Sequence, residues 1–530
     1  MKKWYPVVLL AMAQFIMVLD STVMNVSISQ VVADLGTTVA GLQAAITFYT
    51  LTMAAFMLTG GKIGDALGRV RTFRIGAVIY AIGSLVTALS PNIAVLMFGW
   101  SLVEGLGAVL VIPAIAALVA AEYKGRDRVL AYAIVGAIAG AAAALGPLIG
   151  GFVTTYFSWR YVFVAEVVIM IGVLFGSKIL KQTKKTTAKV KIDLPSVALS
   201  ASGLGLVVFG LLQSKVWGWI VPMTKPEVAG HEIAPFGISI VAYLIVIGVV
   251  VLWNFAQRQK KLEDNGKEPL LRMSLLKIPQ LRAGLGVLMA QYAVIAAVFF
   301  TLPVYLQMVL GLDALQTGVR ILPLSIALVL FSIAGSKMVT KYTPKQVVRL
   351  GQILLVAGAL LITAAIDPQL KSIAFFIGMF VVGSGLGLLA SQLGNINMSA
   401  VPVQQSSEVG GLQGTFQNLG SSFGTALIGS LMIMALTSGF VSNISASTLP
   451  VEIKNYVQQN TTAGVAIVPA SDVQGYALDQ GLSEAEATEI SDSYKDAQVT
   501  SLKSSMFFVS VIALCALPLS RNIPDKRMVR

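Results

Sequence analysis

Charge is scarce in this chain. Of 530 residues only 12% are Asp, Glu, Lys or Arg, about half of what a soluble domain carries. There is one cysteine, Cys515, and one histidine, His231. A single cysteine excludes an intrachain disulfide and any cysteine-rich metal site. A single histidine excludes a multi-histidine metal centre and paired-histidine chemistry. What replaces charge is apolar surface: 56% of residues are hydrophobic and the mean hydropathy is +0.80. A chain this long cannot hide that surplus in one water-facing core, so much of it must face lipid.

The apolar residues fall in stretches of about 20 or more, the length that crosses a bilayer as helix. Such stretches lie near 6–28, 42–60, 72–90, 92–121, 129–155, 161–180, 194–213, 236–256, 283–309, 315–337, 347–366, 371–394, 409–438 and 503–520. The first follows Met1-Lys2-Lys3, as a signal peptide would, but is long and has many successors, which reads as a retained span. Fourteen spans put both termini on one side, and the loops test the count. Basic residues should gather in alternate loops on the cytoplasmic side. With Met1 inside, 30 of the 38 Lys and Arg fall in inside segments, leaving only Arg160, Lys215, Lys225, Arg320, Lys371, Lys454, Lys495 and Lys503 outside. The alternation holds to the end of the chain. It also accounts for the formal net charge of +13 as a set of topology anchors rather than a nucleic-acid surface.

The expected fold class is therefore all-α integral membrane, with a multi-pass chain in the cell membrane and both termini cytoplasmic. The spans divide as six, two and six. Residues 1–180 form a first bundle. Residues 181–282 form a linker with two additional helices, opening with the basic stretch Lys178 to Lys191. Residues 283–530 form a second bundle. Its polar insertion at 439–502 carries Asp472, Asp479, Glu484, Glu486, Glu489, Asp492 and Asp496, and Ser483 with Glu486 reads as a helix cap. The insertion is either a solvated extracytoplasmic hairpin or a gate. A weak internal echo joins the loop at Gly61–Arg69 to Gly335–Tyr342. Repeated halves with a substrate site between them are a common transporter plan.

Three acids fall well inside spans, Asp20, Glu104 and Glu166, and no Lys or Arg lies comparably deep. A carboxylate at mid-bilayer costs about 2.5–3.5 kcal/mol on insertion scales, so such residues are seldom retained without use. Burial disfavours the ionised form, which suits a group that takes up and releases protons. Once deprotonated it attracts a cation, so proton and cationic cargo can compete for it. Asp20 shares its helix face with Ile16, Met17, Met24 and Ser27, and methionine adapts to varied apolar shapes. Glu104 has Trp100 nearby, and an aromatic beside a carboxylate suits an organic cation. Glu166 lies nearer the outer end of its span, within reach of Arg160. Each could instead be a packing acid held by a neighbouring helix. Tyr292, Phe299, Phe300 and Tyr305 could form an aromatic cavity wall, with Gln413, Gln417 and Asn418 as polar points, although such stripes are often packing.

These residues resemble a known family. Gly61-x-x-x-Asp65-x-x-Gly68-Arg69 is similar to the loop signature of the major facilitator superfamily. Leu19-Asp20-Ser21-Thr22-Val23-Met24-Asn25-Val26 resembles the first-helix motif of its fourteen-helix drug:proton antiporters. Gly146-Pro147-Leu148-Ile149-Gly150-Gly151 resembles the antiporter motif of exporters. Trp159–Phe163, Tyr305-Leu306-Gln307 and Gly410–Gln413 also fit. The family's span-four Arg-x-x-Gln-Gly is here Ser101-Leu102-Val103-Glu104-Gly105, without the arginine. The resemblance implies the major-facilitator fold and multidrug efflux. Gly61, Asp65, Gly68 and Arg69 would form a cytoplasmic gate, and Gly146, Pro147, Gly150 and Gly151 a hinge or seal. The possible substrate cavity comprises Met17, Met24, Trp100, Tyr292, Phe299, Gln413 and Gln417.

The functional expectation is proton-coupled efflux of lipophilic, cationic compounds by a monomer, driven by the proton gradient, with no cofactor, no metal and no enzymatic activity. The alternative is a transporter of the same fold dedicated to one metabolite, lipid or peptide. The partners are a small-molecule substrate, protons and the lipid bilayer, not nucleic acid.

Overall fold

A computed structural model describes residues 2–37, 39–180, 192–228, 231–367, 372–461 and 464–525; most of the basic linker after Lys178 lies outside them. Apolar residues in runs of 20 or more satisfy their backbone groups only as helix when water is absent, and the chain is helical almost throughout. The first bundle holds α1 (Tyr5–Val26), a short α2 (Ile28–Leu35), α3 (Val39–Leu67), α4 (Arg69–Ala88), α5 (Ile93–Glu122), α6 (Gly125–Tyr156) and α7 (Arg160–Gly176). Two further helices follow, α8 (Leu194–Trp217) and α9 (Ile240–Asp264). The second bundle holds α10 (Pro279–Val309), α11 (Ala314–Met338), α12 (Pro344–Ala365), α13 (Ile373–Ser399) and α14 (Ser406–Ala446). It ends with two short helices, α15 (Val451–Asn460) and α16 (Ala470–Asp479), and the long α17 (Glu484–Cys515). The strands among the described residues are a two-residue pair, β1 (Glu227–Val228) and β2 (His231–Glu232), antiparallel in the α8–α9 connection.

Thirteen of these helices are long and apolar enough to cross a bilayer. The 32-residue α6 runs beside them, packed on α1, α11 and α13, and completes the expected fourteen. The two bundles meet along α6 with α11 and along α14 with α3 and α5. The additional pair, α8 and α9, pack on each other, and α8 rests on α3 and α14.

The insertion at 439–502 is more ordered than a solvated hairpin. Helix α14 runs on to Ala446 and α17 begins at Glu484, so both extend past their apolar parts. Ser483 caps α17 and Glu486 reciprocates to its backbone, as the sequence predicts. The Gly61 and Gly335 segments are corrected. Both glycines lie inside helices, α3 and α11, and the turns come later, at Gly68 and after Met338. Gly68 takes φ +91°, which favours glycine, and so lets α3 turn into α4.

Candidate functional site

The three acids come from three helices and converge. Asp20 of α1, Glu104 of α5 and Glu166 of α7 are all buried, and one carboxylate oxygen of each lies within 4.8 Å of the others. Local geometry brings them together. Residues Met97–Glu104 form a π-helical stretch inside α5 and end on Glu104; single π turns inside α-helices often mark functional sites. Gly83 of α4 presses on the backbone of Glu104, where a β-carbon would lie 2.5 Å from its nitrogen.

The cluster is held by neutral donors. Trp100 Nε1 donates to Asp20 Oδ1 at 2.8 Å. Tyr80 and Ser84 hydroxyls both donate to Glu166 Oε2 at 3.2 Å. Asp20 Oδ2, Glu166 Oε1 and both oxygens of Glu104 receive no such donor. Among the described residues, no Lys, Arg or His is ion-paired to any of the three. Arg160, a possible partner of Glu166 by sequence, is engaged elsewhere. It pairs with Asp34 and donates to Ser90 O at 2.6 Å. The Arg160 guanidinium holds the Asp34 carboxyl below its usual range, and Trp159 Nε1 donates to the same carboxylate at 3.0 Å.

Between the two bundles lies a cavity of about 180 Å³, walled by α1, α5 and α6 on one side and α10, α11, α13 and α14 on the other. Tyr292, Phe299, Gln413 and Gln417 line it, together with Gln14, Tyr132 and Gln291. Among the described residues, no charged one does. Met17, Met24 and Trp100 are not in its wall. Met17 and Met24 are buried in hydrophobic packing clusters. Trp100 stacks on Tyr49 with ring centroids 4.9 Å apart, so that ring face is covered. The acids also stand apart from this cavity. On α1, Gln14 and Val18 face it, whereas Asp20, about 200° around the helix from Val18, faces the bundle interior. Glu166 instead lines a second, mostly apolar groove of about 510 Å³ between α1, α6 and α7.

The glycines of the antiporter-like motif sit where α6 crosses α1. A β-carbon at Gly146 would fall onto the Thr22 side chain, two residues from Asp20. Gly150 accepts, through its carbonyl, the hydroxyl of Thr154, which also bonds Ser27 at 3.0 Å. Gly151 lies in the same buried run. The backbone of Pro147 belongs to this helix, while its side chain lies outside the described residues.

The Gly61–Arg69 segment packs against α14. Gly61 faces α14, where a β-carbon would lie 2.6 Å from Ser407 O. Arg69 Nε donates to Ser407 Oγ at 3.2 Å, and Asp65 faces the same hydroxyl. Lys62, overlooked in the sequence, is buried at 2% exposure and pairs with Glu268 at 3.1 Å and Glu408 at 3.5 Å. Arg272 reaches Glu408 at 3.8 Å. These contacts join α3 and α4 to α14, and the α9–α10 connection supplies Glu268 and Arg272. The available signal was a lysine at the end of an apolar run, directly after Gly60-Gly61.

The comparisons agree with this architecture. The sequence model of the Major Facilitator Superfamily matches residues 10–425. A Streptomyces coelicolor protein, "Probable actinorhodin transporter", is 28% identical over 450 residues, 84% of this chain and 75% of that protein. A puromycin resistance protein of Streptomyces alboniger is 26% identical over 433 residues, 81% of each chain. In fold, the human organic anion transporter MFSD10 superposes with a TM-score of 0.60 at 12% identity, over 98% of this chain and 99% of that one. With two helical bundles, a cavity between them and the family's sequence model matched over most of its length, the chain belongs to the major facilitator superfamily and is a membrane transporter.

Proposed function

We propose that the protein exports lipophilic small molecules, cations among them, across the cytoplasmic membrane in exchange for protons, by alternating access. The observation that carries this reading is the convergence of Asp20, Glu104 and Glu166 within 4.8 Å, with no ion pair to any of them among the described residues. Like charges that close, in an apolar interior, cannot all stay ionised. Protons are the simplest neutraliser, because a carboxyl that takes one up loses its charge and with it the repulsion of its neighbours.

The cargo site is the uncharged cavity between the bundles. Its aromatic faces at Tyr132, Tyr292 and Phe299 suit a lipophilic cation, and the absence of basic lining residues leaves such a cation unopposed. Cargo and proton therefore occupy different places and couple through α1, which presents Gln14 and Val18 to the cavity and Asp20 to the cluster. Protonation removes charge from the cluster, relaxes its repulsion and changes the seating of α1 against α6. Relatives named for antibiotic transport and resistance support an export role. The basic-loop pattern supports a cytoplasmic position for the Lys62–Arg69 latch and both termini. One chain contains both halves, so a monomer suffices.

The decisive experiment is efflux of a fluorescent lipophilic cation from proteoliposomes under an imposed pH gradient. Transport that rises with the gradient and collapses with a protonophore is the expected result. Flux indifferent to the gradient would overturn proton coupling.

A further inference from the structure

The polar insertion holds a cavity of its own. It measures about 880 Å³, larger than the cavity between the bundles and within the range of small-molecule sites. Its wall is aromatic and aliphatic, drawn from the end of α14, from α15 and α16, and from the start of α17. Tyr494 forms part of a rigid floor. Its hydroxyl donates to Ala466 O at 2.9 Å and accepts from Val468 N at 3.1 Å. Its ring packs edge-on to Phe440 at 5.6 Å.

Helix α15 forms the opposite wall and contributes no buried residue. Ile453 and Val457 line the cavity from it. Both are half-buried against the insertion's hydrophobic cluster, so the apolar stripe of this amphipathic helix is only partly covered and borders the cavity. Tyr456 and Tyr476, 50% and 59% exposed, also line the cavity.

The charge is one-sided. Residues 439–502 carry eight acids against two lysines. Glu452 and Asp472 line the cavity, and among the described residues no Lys, Arg or His does. Both lysines are committed elsewhere: Lys454 donates to the carbonyls of Ser445 and Ser447, and Lys495 pairs with Asp492. An apolar, aromatic cavity with carboxylates and no neutralising base selects a bulky cation over a neutral or anionic compound.

We propose that this cavity is a second binding site, for lipophilic organic cations, separate from the one between the bundles. The assignment does not depend on proton coupling. A cation released on this side of the membrane would meet aromatic faces and negative charge before bulk water.

The test is equilibrium binding of radiolabelled tetraphenylphosphonium to the full-length protein in nanodiscs. Val457→Trp fills the cavity from an exposed helix and removes one binding site per chain. The double variant Glu452→Gln/Asp472→Asn keeps the shape and weakens that site roughly tenfold. Tetraphenylborate, of the same shape and opposite charge, does not occupy it. Unchanged stoichiometry in Val457→Trp, with unchanged affinity in the charge variant, would overturn the site. Equal binding of tetraphenylborate would overturn its preference for cations. Should Val457→Trp fail to fold, the charge variant and the borate comparison carry the test.

Discussion

Trp100 donates its indole N–H to Asp20 across the first bundle, with 2.8 Å between nitrogen and oxygen. The bond ties α1 to the π-helical part of α5, so the proposed proton carrier is held by the helix that bears Glu104. Asp20→Asn retains an acceptor for Trp100 and loses the exchangeable proton. It should express and fold normally while proton-driven efflux falls to background. Trp100→Phe removes the donor, worth about 1 kcal/mol or more when its acceptor is charged. It should shift the pH dependence of transport and leave some activity. Wild-type flux in Asp20→Asn would refute the role given to Asp20.

Glu104 is surrounded by the cluster and is not among the residues lining the cavity between the bundles, the proposed cargo site. The structure therefore predicts that Glu104→Gln lowers efflux of cationic and neutral compounds by the same factor. Had Glu104 touched cargo, as its neighbour Trp100 suggested in the sequence, cations would suffer more. Parallel assays with a quaternary ammonium dye and a neutral lipophile decide between the two.

At the latch, Lys62 and Glu408 are both buried and paired. Removing one partner of such a pair typically costs about 3–5 kcal/mol, because a buried charge is left alone. Lys62→Met should open this end of the transporter. In a Cys515→Ser background, a cysteine placed at Ser407 should then react faster with a membrane-impermeant thiol reagent. The swap Lys62→Glu/Glu408→Lys should restore part of the protection. Equal reactivity in all three chains would mean that the pair does not hold the latch.

Outside the membrane, Asp193 caps α8 and forms a two-point pair with Arg258 of α9, at 2.8 and 2.9 Å. Hydrogen bonding to Arg258 lowers its pKa from 3.8 to about 2. A depressed acid stabilises the folded state above its unfolded value and loses that contribution as pH falls through the folded one. The contribution of this pair should therefore be complete above pH 4 and fade toward pH 2. Thermal unfolding of wild type and Asp193→Asn, followed against pH, should differ by a few degrees at neutral pH and converge in acid. A constant difference throughout would point to the cap rather than the charge.

The sequence reveals the spans well, because lipid imposes a length and an apolar composition that survive any tertiary arrangement. It also reveals Asp20, Glu104 and Glu166, since an acid in oil stands out one residue at a time. Their meeting was hidden. It depends on a π-helical stretch and on the close approach at Gly83, and neither leaves a periodic mark. Helical periodicity placed Met17, Met24 and Trp100 on one face with the acids, but could not say whether that face met the other half or its own bundle. Lys62 and Glu408 are 346 residues apart, beyond any local pattern. Tyr292, Phe299, Gln413 and Gln417 were found because aromatic and amide groups inside spans are conspicuous against aliphatic neighbours.

The wide turn at Met97–Glu104 has a geometric corollary. A π segment fits one more residue into a turn than the surrounding α-helix does. Were it to tighten, every side chain on one side of it would swing by about 100° relative to the other. Glu104 sits at the boundary, so a change of winding within α5, with no bodily movement of the helix, is enough to carry its carboxyl out of register with Asp20.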